Sequence, residues 1–306
     1  MSDWYENIDE KDKITKQLAE SKSQEETIRI IYNNHPLGYS NIEPIKTLEE
    51  YFRYIRITTT DFAWFRGESR EHENFIPKLF RNIKDDKIDE QLDKEKHFFF
   101  EFKRKAKSMI NNIADDDYWL WYFLIQHYGG PTRLFDWTTD ASVALFMALD
   151  TSREKTDNPV VFTLQPAVLT SYAFKELGKE IKGNPHIIYP GEDDSNRWIG
   201  NILKTDEPIP ESPIALLPAY ADPRIVSQRS CFTLFGRRID GFKKDGKELL
   251  CDCCKRRIRH RIIIDGTKKN ELRKELVKIG VTSGRVYPGI EGLIKELYQE
   301  IYKQET

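Results

Sequence analysis

Apolar positions recur at helical spacing in some stretches of the chain and alternate or run together in others. Residues 1 to about 34 are charged, with Ile28, Ile30, Ile31 and Tyr32 as a weak apolar stripe, and read as one or two amphipathic helices. Pro36 to Pro44 reads as a linker. Thr47, followed by Glu49 and Glu50, opens the short helix TLEEYFRYIR with an N-cap hydroxyl and early acids. The run DFAWFRG, Asp61 to Gly67, reads as a buried strand ending at a glycine. Residues 88 to about 112 predict a long helix whose Phe98, Phe99, Phe100 and Phe102 cover part of one face. The next helix, Asp117 to His127, is apolar nearly all round and therefore central, and Gly129-Gly130-Pro131 stops it. Thr138-Thr139-Asp140 then starts a third helix, ASVALFMALD, with Thr139 or Asp140 as its cap.

Strands are predicted at Pro159–Leu164, near Ile214–Leu217, at Ser230–Phe235 and at Ile258–Ile264, the last polar-alternating first and buried later. Lys268 to Ile279 predicts an amphipathic helix stopped by Gly280. Pro288 starts the last helix, with apolar positions 290, 293, 294, 297 and 301 at helical spacing. Helices early and strands late predict an α+β class, with helices packed on a mainly antiparallel sheet. No repeat or low-complexity tract interrupts the pattern, so the expected division is a helical segment over 1–44 and one domain over 45–306.

Composition narrows the picture. Of 306 residues, 39% are hydrophobic, 12% aromatic and 32% charged, enough large apolar area for a core. Lys+Arg at 48 and Asp+Glu at 50 leave a net charge of −2, which argues against a histone-like binder. The longest apolar run, Tyr118 to Ile125, falls far short of the ~20 residues of a membrane helix. An acidic N-terminus without an apolar core, and cysteines clustered at 251, 253 and 254, make a reducing cytoplasm the expected compartment, with no membrane partner.

Two segments carry residues that a simple core would not use. In Trp64-Phe65-Arg66-Gly67-Glu68-Ser69, Arg66 either holds an anion bidentately or forms a structural pair with a carboxylate. Gly67 would let a ligand approach the backbone. Residues Gln126 to Asp140, QHYGGPTRLFDWTTD, place an amide, an imidazole, an arginine, two acids and three threonine hydroxyls between two apolar helices. The plain alternative there is a buried Arg133–Asp136 pair holding the turn, with Thr138 and Thr139 capping.

FRG at 65–67, QHYGGPTRLFDWTTDASVALFMAL at 126–149, and Arg224, Gln228 and Phe232 resemble the FRG domain family of bacterial proteins, as does the stretch from Gly280-Val281 to Tyr287-Pro288-Gly289-Ile290-Glu291-Gly292-Leu293. The resemblance covers residues 45 to about 300, with Ser230 standing where glycine is expected. A weaker resemblance links Arg66-Gly67, then Asp136 to Asp140 before Val143-Ala144-Leu145-Phe146, then Arg224 to Phe232, to the three elements of arginine ADP-ribosyltransferases. It implies an ADP-ribosyltransferase-like fold and an NAD-consuming effector acting on a macromolecule such as RNA, in a bacterial toxin or phage-defence setting, with an antitoxin or regulatory partner. In that scheme Arg66 grips NAD, Arg133 and Arg224 hold phosphates, and the Gly67 backbone meets the nicotinamide amide. Thr138 and Thr139 order the ribose side, and Asp136, Glu68 or Gln228 acts at the ribose. Gln228 stands where the transferases carry glutamate, and this keeps open the alternative of a non-catalytic nucleotide- or partner-binding module.

Other candidates rest on residues alone. Lys255, Arg256, Arg257, Arg259 and Arg261 form the densest basic run and are candidate nucleic-acid contacts; the alternative is a solvated edge strand. Cys251, Cys253, Cys254 and His260 lack the paired spacing of a zinc site, so no metal is expected.

Overall fold

A computed structural model describes residues 43–59, 62–70, 75–110, 113–151, 157–178, 187–189, 209–219, 222–244, 247–249 and 259–302, with positions 16, 17, 20 and 26. Along the chain these form α1 (Leu48–Thr58), β1 (Trp64–Glu68), α2 (Ile88–Ala106), α3 (Tyr118–His127), β2 (Leu134–Thr138), α4 (Ala141–Thr151), β3 (Val160–Leu164) and α5 (Pro166–Glu176). There follow β4 (Ile214–Leu216), α6 (Pro223–Ser227), β5 (Ser230–Leu234), β6 (Arg259–Ile263), α7 (Lys269–Lys278), α8 (Ser283–Val286) and α9 (Ile290–Tyr302). The class is α+β, with antiparallel pairing of these strands within each unit. No described helix is long and apolar enough to cross a membrane. The expected segment 1–44 falls almost wholly outside the described residues.

The chain divides into two compact units: Met1–Glu71, Thr139–Gln165 and Glu248–Thr306 form the first, His72–Thr138 and Pro166–Lys247 the second. In the first unit β1 pairs with β3, and β3 with β6. Strand alternation sends Phe65, Val161 and Ile262 to one face, where they join Val143, Leu145 and Phe146 of α4 and Leu272 and Leu276 of α7 in a common core. α1 joins this core through Tyr51 and Tyr54. Thr47 is the N-cap that the sequence predicts, and the structure makes it a capping box: Thr47 Oγ1 accepts from Glu50 N–H, and the Glu50 carboxylate accepts from Thr47 N–H. Asp140, and not Thr139, caps α4, since its Oδ1 accepts from the N–H groups of Ser142 and Val143 at 2.9 and 3.3 Å.

In the second unit β5 pairs with β4 on one side and β2 on the other. One face presents Leu134, Phe232 and Leu234 to the apolar α3 and to Phe99 of α2. Phe123 of α3 stacks on Phe232 with ring centroids 5.3 Å apart. On the other face Phe135, Trp137 and Phe242 pack around Phe75, and Phe235 packs against Phe135 and Phe242. The phenylalanine cluster of α2 divides accordingly: Phe99 is buried, whereas Phe98 and Phe100 remain exposed.

Candidate functional site

The candidate residues are divided between the two units, some on strands and some on the helices and turns beside them, and each unit positions its own set. In the first unit, register places Arg66 opposite Phe162 and Phe162 opposite Arg261, so the three side chains share one face across three strands. Trp64, Leu164 and Arg259 form the neighbouring row on that face, with the Arg259 guanidinium 5.5 Å from the Phe162 ring centroid. Arg66 Nε donates to Glu68 Oε1 at 2.5 Å, and both side chains keep 21% of their surface. The face thus joins the arginine of the first motif to part of the basic run, around one aromatic ring. That run is not a solvated stripe where it is described: Arg259 is buried and Arg261 half-buried. Lys255, Arg256, Arg257 and the three clustered cysteines lie outside the described residues.

Gly67 faces the opposite way. A β-carbon there would stand 1.9 Å from the carbonyl oxygen of Ala144 and 2.6 Å from the amide nitrogen of Ala148. The backbone that approaches Gly67 is α4, and this packing alone demands glycine. Thr139, at the start of the same helix, is exposed.

In the second unit Asp136 is the one exposed residue of a strand otherwise buried at every position. It shares a face with Leu134 and Phe232, and this is the face that α3 covers. Gln126, in the last turn of α3, donates from Nε2 to both Asp136 carboxylate oxygens at 3.1 Å. The Gln126 carbonyl in turn accepts from the Thr132 hydroxyl. An exposed carboxylate is thereby held in one orientation on a rigid strand. Beneath it, burial and then the Asp136 charge push the Cys231 thiol well above its ordinary pKa, so this cysteine is an inert core residue.

Arg133, expected at a phosphate, is instead wholly buried. Its Nε donates to Glu95 Oε2 at 2.7 Å, while Glu95 Oε1 accepts from the Tyr122 hydroxyl and from Arg133 N–H. Of the buried Arg133–Asp136 pair that the sequence offers as the plain alternative, the arginine is buried, but its partner is Glu95, and Asp136 accepts from Gln126. Thr138 is also committed, donating at 2.6 Å to the backbone carbonyl of Gln228. Gln228 is buried and caps the C-terminus of α6. Arg229 follows with φ +45°, so the tight turn into β5 places its left-handed residue one position before Ser230. Arg224 is exposed on α6.

Two contacts escape the sequence reading. Asp222 caps α6 ahead of Pro223 and lies 3.4 Å from His127 Nδ1, which gives that imidazole a carboxylate neighbour. Asp-Pro before a helical turn is a readable N-cap signal, but its pairing with His127 is not. Phe162 is the second, since only strand register brings it between Arg66 and Arg261. Among the described residues no group of three or more His, Cys, Asp or Glu side chains could hold a metal ion.

Residues 61–157, from β1 through α4, match the family model described as the FRG domain. The chain carries an FRG domain. The match takes in both the Phe65-Arg66-Gly67 motif and the Gln126–Asp140 segment. No curated protein and no solved structure matches the chain. Within the FRG domain, the glycine of the motif serves helix–strand packing, its arginine belongs to the opposite face of the sheet, and Asp136 is its exposed, amide-held carboxylate.

Proposed function

We propose that the protein is an NAD-consuming, ADP-ribosyltransferase-like effector that modifies a macromolecule, with RNA as the first substrate class to test and a toxin or phage-defence role. The observation that carries this reading is Asp136, a solvent-exposed carboxylate fixed through both oxygens by Gln126. Breaking the bond between nicotinamide and ribose sends the bonding electron pair out with nicotinamide and leaves an oxocarbenium-like centre. A carboxylate already oriented when that charge develops stabilises it without reorganisation. Of the two carboxylates open to this role, Glu68 is engaged by Arg66, which favours Asp136. Within the first unit Arg66, with Arg261 two strands away at about 10 Å, is a candidate anion grip, and within the second unit, which also carries Asp136, the exposed Arg224 is the anion contact. Thr138 acts on this scheme as a positioning residue, through the Gln228 turn. Arg133 and Gly67 drop out of it, because one is consumed by Glu95 and the other by α4.

The test is nicotinamide release from NAD by the purified protein, with and without total RNA. Asp136→Asn is expected to lower release about 100-fold or more and to leave Tm nearly unchanged, since the side chain is exposed. Arg66→Ala is expected to abolish turnover with a similarly small change in Tm. A large loss of stability in Arg66→Ala would instead make its pair with Glu68 structural. The second reading, a module that binds a nucleotide without turnover, is favoured by one observation: Gln228 is an amide, buried, and tied to Thr138 through its own backbone. Titration calorimetry separates the two, since tight binding of NAD or ADP-ribose without nicotinamide release supports the module and excludes the transferase.

A further inference from the structure

The last helix is turned inside out. An amphipathic helix ordinarily presents its apolar stripe to the core. On α9 the stripe Ile290, Leu293, Ile294, Leu297, Tyr298 and Ile301 is instead exposed, each residue retaining between 43% and 76% of its surface. The opposite, polar side faces the protein, and its contacts fix the helix in that rotation. Gly292 is buried, and a β-carbon there would stand 1.8 Å from the Tyr287 carbonyl oxygen. Glu296 Oε2 accepts from Gly284 N–H at 2.6 Å and from the Thr282 hydroxyl at 2.9 Å. Lys295 Nζ lies 4.8 Å from the centroid of the Tyr287 ring. Turning the stripe inward would break all three contacts and drive Glu296 into solvent.

From these observations we infer that α9 is a self-association surface, and that its occupant is α9 of a second copy packed antiparallel about a two-fold axis. The stripe is symmetric about the midpoint of Lys295 and Glu296. Antiparallel pairing about that point sets Ile290 against Ile301 and Ile294 against Leu297, with Leu293 and Tyr298 at matching heights on the flanks. An isologous interface requires this self-complementarity, in which residue i meets j and j meets i. The area also fits: the six side chains expose roughly 700 Å² per copy along a helix of about 20 Å, against the ~800 Å² per partner of a standard interface. An apolar patch of that size exceeds the ~300–600 Å² of the largest patch on a typical monomer.

Sedimentation of the full chain tests this. The protein is expected to run as a dimer at about 10 μM, an affinity within the ordinary range for such an area. Ile294→Glu and Leu297→Glu each place charges at the centre of the seam and are expected to weaken the dimer about 100-fold or more. Both positions are exposed in one copy, so circular dichroism of the variants should match wild type and their Tm should match that of wild type diluted until it is monomeric, which separates lost pairing from lost folding. Glu291→Gln, outside the stripe, should remain dimeric. A full chain that stays monomeric at about 100 μM overturns the inference, as does a dimer indifferent to both central substitutions.

Discussion

Glu95→Ala is expected to destabilise the second unit by about 3–5 kcal/mol, measured as a fall in the urea midpoint at constant slope. The loss comes from what the alanine leaves behind. Arg133 has no exposed surface, and its ionised guanidinium would remain in the core without the Glu95 carboxylate that lies 2.7 Å from it. The Tyr122 hydroxyl would lose its acceptor as well. Burial, with the Glu95 charge next in importance, already pushes that phenol well above its ordinary pKa, so it stays neutral throughout the working pH range. Removing both charged partners is a different experiment. Glu95→Leu with Arg133→Met replaces a buried ion pair by apolar side chains, and such replacements are close to neutral or stabilising. The double variant is therefore expected to recover most of what either single variant loses. This cycle also decides between a structural and a ligand-binding Arg133. A phosphate grip would make Arg133→Met inactive but well folded, and Glu95→Leu could not compensate for it.

Arg133 marks the limit of what is readable in the sequence. Signals that act within a few residues translate directly into structure: Thr47 with Glu50 closes a capping box, and the apolar run from Trp119 to Ile125 becomes a central helix. The fold class follows from the same local patterns, because helical and alternating periodicities are set by nearest neighbours along one element. The partner of Arg133 is not local. Glu95 sits on a helix with Lys94 and Lys96 beside it, and nothing in that charged stretch marks one carboxylate as the buried one. Strand register is equally invisible, so the row Arg66, Phe162 and Arg261 had to be seen folded. Asp136 was readable as a candidate but not as exposed. Its neighbours Phe135 and Trp137 suggest burial, and its exposure emerges only in the folded strand. Composition was a poor guide at α9, where helical spacing was correct and the direction of the stripe depended on Gly292 and Glu296.

Gly67→Ala is expected to be the most damaging small substitution in the FRG domain, with a loss of about 3 kcal/mol or more and a Tm lower by on the order of 10 °C. One added methyl group has this effect because of what it meets. The Ala144 carbonyl oxygen would be 1.9 Å away and the Ala148 amide nitrogen 2.6 Å away, and both belong to the backbone of α4. No side chain can rotate to make room. The helix must move off β1 as a body, and α4 carries Val143, Leu145 and Phe146, all fully or almost fully buried in the core of the first unit. Lifting it opens voids around those residues as well as straining the strand. The comparison with the adjacent position is the sharp part of the experiment. Arg66→Ala removes a far larger side chain, yet it lies on the other face and is expected to leave Tm nearly unchanged while activity is lost. If Gly67→Ala melted within about 2 °C of wild type and lost only ligand binding, the glycine would be serving a ligand and not the helix. The close approach of α4 predicts the opposite order, because the glycine of the motif is spent on the fold.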